Sequence, residues 1–472
     1  MTNILMSLTL LSWYLGANDV FGWSVLSLSI LLLIELVRYI KNRTKNIPYL
    51  SSGFLFFIGY YLVHFQLYIW KVFGKTNISD DVYEFLFVSE DVMIRGALAS
   101  VIGLFSFVKG YKFVKAKMSV STKTNGRIQN SVLLLPTITA FVVFFFSNSD
   151  YLSGTYNLLS WSPLTKYSYA LFITLYYAGL SYRLYTLQTR SFAGFLDYLR
   201  SIGLGWTILT VVYTFFSMFI GDRGPIISNT LLFMSLYLFR LQKVSWLKSS
   251  LILAMSIILL VGVKSLRTRN HKSFENRFSN FSVSSNEGEK LGLEANVLTM
   301  PLELGLSARC LHHAIDYTDQ NGFFNGYFQV RQLVSSIPFA GSLFGFVVNG
   351  NKEPLISSSS LLSHKIQGGD VRYGDGTTAV ADLYLDFGFG GVIIGLFCFG
   401  IAMSRLDRVL TNSSKQMSYW LYVLAITYFS TSFYLGRSTL MIMLQRAVPV
   451  ILLIYTVMIF FRKTSNSHEN VG

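Results

Sequence analysis

Four groups of ionisable residues, three where apolar stretches of the chain begin or end and one in the long loop between them, each have a chemistry of their own. Gly221-Asp222-Arg223-Gly224-Pro225 joins two apolar stretches. Pro225 suits the first position of a helix, so free N–H groups and the positive helix end stand beside Arg223. Such a place binds a phosphate or diphosphate; the plainer reading is a turn in which Arg223 pairs with Asp222 and with lipid headgroups. Arg437, in Leu435-Gly436-Arg437-Ser438, occupies a second junction of the same kind. With Arg309 and Arg331 in the intervening loop, convergence on one anion is expected, because guanidinium stays charged and binds phosphate bidentately.

Two further groups offer bases. Arg309, His312, His313 and Asp316 follow the spacing i, i+3, i+4, i+7, which is one face of a helix. A histidine oriented by an aspartate one turn away serves as a general base near neutral pH. The alternative is a solvated helix face with an i,i+4 pair. Adjacent histidines project about 100° apart on a helix, a poor metal pair without an evident third ligand, so no metal is expected. Asp382 and Asp386, one turn apart, enter a glycine-rich apolar stretch; either is a base or the partner of an arginine.

The elements that must position these groups are membrane spans. Of 472 residues, 52% are hydrophobic and 13% charged, about half the charge of a soluble domain. That excludes an ordinary soluble enzyme, and the regular apolar runs exclude disorder. Taking about 20 apolar residues per crossing, spans are expected near 20–40, 51–70, 92–109, 131–147, 167–187, 202–221, 225–241, 249–264, 380–402, 417–435 and 442–461, with a shorter one at 3–16. The fold class is therefore an all-α polytopic membrane protein of about 12 transmembrane helices. The net charge of +15 falls in alternate loops, the signature of cytoplasmic connections and not of nucleic-acid binding. Glu35 and Arg95 sit near span ends, where snorkelling accounts for them.

Three segments follow: 1–264 with about nine spans, a loop 265–379 on the outer face, and 380–472 with about three spans and a short cytoplasmic tail. A loop of that length folds or carries function. Helices are expected over 302–319 and 327–337, and Phe339-Ala-Gly-Ser-Leu-Phe-Gly-Phe-Val-Val348 is apolar enough to lie in the bilayer interface. Cys310 and Cys398, the only cysteines, are not expected to pair. Walker, Rossmann, H-E-x-x-H and CxxC signatures are absent from the sequence, so no cofactor is expected and the energy must come from the substrate or a gradient.

The chain resembles the bacterial oligosaccharide repeat-unit polymerases of the Wzy type. Gly221-Asp-Arg-Gly-Pro225 is similar to that family's Gly-x-Arg-Gly turn opening a span. Phe324-Asn-Gly-Tyr-Phe-Gln-Val-Arg-Gln-Leu-Val-Ser-Ser-Ile-Pro338 is similar to its loop segment, and Gly376-Thr-Thr with Ala381-Asp-Leu-Tyr-Leu-Asp-Phe-Gly388 to its loop exit. There the family often carries Glu and Asn in place of Asp382 and Asp386. The resemblance implies a GT-C-like architecture in the bacterial inner membrane with a periplasmic active site. It also implies transfer of a growing glycan from undecaprenyl diphosphate to the non-reducing end of an incoming lipid-linked unit, with inversion, for O-antigen or capsule. On that reading Arg223, Arg309, Arg331 and Arg437 hold diphosphate and glycan, His312 or Asp382 is the base, and a chain-length-determining co-polymerase is the expected partner. The rival readings are an O-antigen ligase-like transferase and a flippase of lipid-linked sugars; the absence of sequence repeats and the clustering of charge at one face favour a transferase.

Overall fold

The computed structural model describes residues 1–16, 18–43, 48, 50–72, 80–114, 130–147, 161–188, 190–220, 222–240, 305–338, 340–349, 355–368, 374–411 and 418–469. The expected span 249–264 and residues 265–304 of the long loop lie outside them. Among the described residues all regular structure is helical.

In chain order the helices are α1 (Thr2–Tyr14), α2 (Asn18–Arg43), α3 (Ser52–His64), α4 (Gln66–Val72), α5 (Asp80–Phe87) and α6 (Glu90–Phe113). They continue with α7 (Asn130–Ser147), α8 (Pro163–Thr186), α9 (Phe195–Ile202), α10 (Leu204–Ile220) and α11 (Arg223–Arg240). The long loop contributes α12 (Arg309–Asn321), α13 (Tyr327–Val334), α14 (Ala340–Asn349) and α15 (Ser358–Gln367). The chain ends with α16 (Ala379–Thr411), α17 (Tyr419–Thr431), a 3₁₀ segment (Ser432–Arg437) and α18 (Ile442–Glu469). Starts follow local chemistry: Ser51, Ser89, Ser162 and Ser357 each cap a helix by accepting a backbone N–H, and Pro163 takes the first helical turn of α8.

Four helical stretches are long and apolar enough to cross a membrane: Val20–Lys41, Tyr83–Phe113, Ala379–Thr411 and Ile442–Phe460. The pair Phe195–Ile202 and Leu204–Met218, bent by 100°, makes a fifth if it acts as one span. The stretch 51–70 is broken at Phe65 into α3 and α4, and 417–435 closes in the 3₁₀ segment.

The chain forms two compact units. One comprises Met1–Ala116, Val283–Arg405 and Ser432–Ile442; the other Lys117–Ser282, Leu406–Thr431 and Met443–Gly472. In the first, Phe56, Phe107 and Phe399 meet with centroids 4.5–6.0 Å apart, and the Tyr60 hydroxyl donates to the Ser100 carbonyl at 2.8 Å. Glu35 there is not a snorkelling carboxylate: it pairs with Lys109 at 3.1 Å and with Lys112, and accepts from Thr2 at 2.7 Å. The 3₁₀ segment lies directly on α3. A Cβ at Gly59 would stand 1.8 Å from the Phe433 carbonyl oxygen, so only glycine allows this approach. The second unit is centred on aromatic rings of α7, α8 and α10, with Phe172 and Tyr213 at 4.8 Å and Phe141 and Phe172 at 5.0 Å.

Candidate active site

The loop helices of the first unit are fastened to its spans by the polar residues singled out above. α12 is an amphipathic helix whose apolar residues Cys310, Leu311, Ala314 and Ile315 are buried. Its polar residues face protein too. His312 is 0% exposed; its Nε2 meets the Tyr68 hydroxyl at 2.6 Å and its Nδ1 the Leu86 carbonyl at 2.7 Å. Burial drives its pKa down to about 4, in spite of the carbonyl. The ring is thus neutral at neutral pH with both nitrogens engaged. His313 hydrogen-bonds the Phe85 carbonyl at 3.1 Å, and burial lowers its pKa as well. Asp316 pairs with Lys365 of α15 at 3.0 Å and not with a histidine. This face is therefore neither a solvated surface nor an open catalytic dyad, but a docking face.

The same helix carries Arg309 and Asp319. Arg309 is paired with buried Asp375 and stacks over the Phe85 ring at 4.6 Å; its Nε has no acceptor among the described residues. Asp319 takes a bidentate pair from Arg95, at 3.0 and 2.6 Å. Arg95 is thus a clasp between span and loop, where the sequence suggested only snorkelling.

α13 is held by the two aspartates of α16. Asp386 accepts the backbone N–H of Phe328 (3.2 Å) and Gln329 (2.8 Å), capping the free N-terminus of α13 with a side chain from another helix. Asp382 is 0% exposed and accepts from Gln329 Nε2 at 2.6 Å, Gln332 Nε2 at 2.9 and 3.1 Å, and Ser358 Oγ at 2.6 Å. These bonds occupy the carboxylate's acceptor capacity and bind α13, α15 and α16 at one point. Arg331, on the buried side of α13, donates to the Tyr327 hydroxyl (2.7 Å) and the Leu355 carbonyl (3.1 Å). Just below Asp386, α16 bends at Gly388, whose φ of +61° favours glycine; the Phe323 ring closes on it.

Arg437 differs from the others. It ends the 3₁₀ segment, is part-exposed, and has no hydrogen bond or carboxylate partner among the described residues. Its charge reaches Cys310, the α12 residue beside Arg309, whose thiol is pushed up to about 12 chiefly by burial. Both cysteines are free.

The first unit thus gathers Arg309, Arg331, Arg437, His312 and Asp382. Arg223 opens α11 in the second unit, where Asp222 accepts the Gly224 N–H at 3.2 Å; the Arg223 side chain lies outside the described residues. Sequence reasoning overlooked Arg446, which stands one turn inside α18 with its guanidinium 6.0 Å from the Tyr177 ring centroid. An arginine inside an apolar span was signal enough to notice it. Ser358, Gln329 and Gln332 carried no such signal, since polar uncharged residues in a loop are unremarkable until folding aims them at one carboxylate.

Compared with known families, the chain matches the model for the O-antigen polysaccharide polymerase Wzy over residues 1–468. No curated protein and no solved structure matches it.

Proposed function

Because the chain belongs to the O-antigen polysaccharide polymerase Wzy family, we propose that it extends O-antigen by transferring the growing glycan from undecaprenyl diphosphate to the non-reducing end of an incoming lipid-linked repeat unit. The sugar carbon–diphosphate bond breaks as the acceptor oxygen attacks from the opposite face, so the configuration inverts, and the diphosphate leaves with the electron pair. The reaction takes place at the periplasmic face of the inner membrane, with the loop 265–379 over the site and a chain-length-determining co-polymerase as partner.

The observation that supports this reading is Arg437, a guanidinium without a protein partner among the described residues, beside the docked loop helix α12. A cation already placed where charge develops on the leaving group stabilises the transition state without reorganisation. Arg309, paired with Asp375, is assigned as a second cation for the diphosphate, and Arg223 of the second unit is assigned to diphosphate separately, from its place at a helix N-terminus. Arg331 is assigned to holding the loop, since its donors go to Tyr327 and Leu355. We assign His312 and Asp382 the same positioning role, because neither keeps a lone pair free for an acceptor hydroxyl.

The test is the lipopolysaccharide banding pattern of a deletion strain complemented with wild type, Arg437→Ala or Arg437→Lys. Wild type restores a ladder, Arg437→Ala leaves core with a single repeat, and Arg437→Lys shows intermediate polymer because a point charge replaces the planar fork. Bare core with polymer retained on the lipid carrier identifies a ligase. Bare core with units trapped in the cytoplasmic leaflet identifies a flippase.

A further inference from the structure

The pair α13 and α14 presents an apolar surface that the folded chain leaves open. Val330, Leu333 and Ile337 are each about half exposed, and on α14 Leu343, Phe346 and Val347 reach 65%, 68% and 74%. Between Tyr327 and Asn349 the only charged residue is Arg331, and it is turned inward and buried. A water-facing loop helix would carry charge on its open face.

The depth of this pair follows from α16. Between Asp386 and Arg405 the residues 387–404 carry no charge. At 1.5 Å per residue they span about 27 Å, close to the roughly 30 Å of a hydrocarbon layer. Asp386 then marks one boundary, and Arg405 with Arg408 the other. The first turn of α13 is bonded to that boundary residue: Phe328 and Gln329 donate to its carboxylate, and Asn325 N–H to its carbonyl at 3.0 Å. The surface is also continuous. Gly326 lies against the ring of Phe387, which is about half exposed, as are Phe323 beside it and Ile393 further along α16, where Ile394 is about two-thirds exposed.

We infer that α13 and α14 form a monotopic hairpin immersed in the leaflet on the Asp386 side, their open faces at the boundary between headgroups and acyl chains. The occupant of the surface is lipid. Burial of these side chains holds the loop at the level where a lipid-linked diphosphate lies, and the docking bonds of Asp382 and Asp386 fix its angle. The inference stands on the geometry of α13, α14 and α16 and does not depend on the transferase reading.

It is tested by nitroxide labelling of the full chain in proteoliposomes. In a Cys398→Ala background, where Cys310 is buried, labels are placed singly through Val330→Cys, Leu333→Cys, Phe346→Cys and Val347→Cys. Asn321→Cys, on the exposed end of α12, is the water-facing reference. Collisions with oxygen, which partitions into lipid, are compared with those of a water-soluble nickel chelate. The expected result is an oxygen-to-nickel ratio several-fold higher at all four positions than at Asn321. A ratio equal to the reference means a water-exposed face, and low access to both reagents means a second copy or another protein covers it; either overturns the inference. Since the four side chains are exposed, the cysteines are expected to be tolerated, and each variant's resistance to limited proteolysis, compared with the parent chain, checks that it folds.

Discussion

Replacing Asp382 separates a tether from a base. The carboxylate gathers three donor side chains, two from α13 and one from α15, in a position with 0% exposure. Hydrogen bonds to a charged group contribute about 1.5–3 kcal/mol each. Against that stands the desolvation of the carboxylate, several kcal/mol. Asp382→Ala removes the acceptor and leaves three donors buried, so the net loss is about 3–5 kcal/mol, the range for breaking a buried charged network. Asp382→Asn keeps one acceptor oxygen but turns an N–H₂ toward donors, and about half that loss is expected. Both losses fall on the attachment of α13 and α15 to α16, not on the whole bundle. The assay is limited proteolysis of the full chain in proteoliposomes, read beside polymer length in a complemented deletion strain. Cleavage between Tyr327 and Gln367 should accelerate for both variants, more for Ala, in step with the loss of polymer. An Asp382→Asn chain whose loop resists protease like wild type, yet makes no polymer, would falsify the tether: Asp382 would then be acting on substrate, with the 10²–10⁴-fold contribution typical of a general base.

Three other outcomes are expected. His312 has a folded pKa of about 4 against an ordinary 6.5, so the fold holds the neutral ring. Its stabilisation is complete above pH 6.5 and lost as pH falls toward 4, by at most about 3 kcal/mol. Corrected for the intrinsic pH dependence of amide exchange, the protection of α12 should fall across that window in wild type and fall less in His312→Gln, where buried His313 still titrates. Gly59→Ala places a methyl roughly 1.5 Å too close to the Phe433 carbonyl, short of normal contact. The Ser432–Arg437 segment must shift by about 1 Å, enough to lower activity on the order of 100-fold, while overpacking costs about 1–3 kcal/mol; an unchanged ladder would mean Arg437 tolerates displacement. Asp319→Ala breaks the clasp to Arg95, but Asp319 is 43% exposed, so solvent and salt limit the effect to below about 1 kcal/mol. A melting temperature nearly equal to wild type, with the small difference shrinking further at high salt, checks this, and a large drop would show a buried network.

How much was legible before folding depended on whether a residue's role is set by its neighbours in sequence. Apolar length and period are local, so the helical stretches and the helices at Arg309–Asn321 and Tyr327–Val334 were readable, with boundaries set by Ser caps and by Gly and Pro. The deficit of charge was enough to require a membrane. The spacing of Arg309, His312, His313 and Asp316 correctly put them on one face, but spacing cannot say what that face meets. Only the tertiary structure aimed His312 at Tyr68 and Leu86, Asp316 at Lys365, and Arg309 at Asp375. It likewise made Asp386 the cap of a helix some 60 residues earlier in the chain and gave Arg331 to a carbonyl. The physical reason is that a charged side chain has one meaning in water and another beside a partner. Composition fixes how many such groups exist, whereas the packing of distant segments decides which are neutralised. Arg437, which in sequence stood at a junction of the same kind as Arg223, is part-exposed and has no hydrogen bond or carboxylate partner among the described residues.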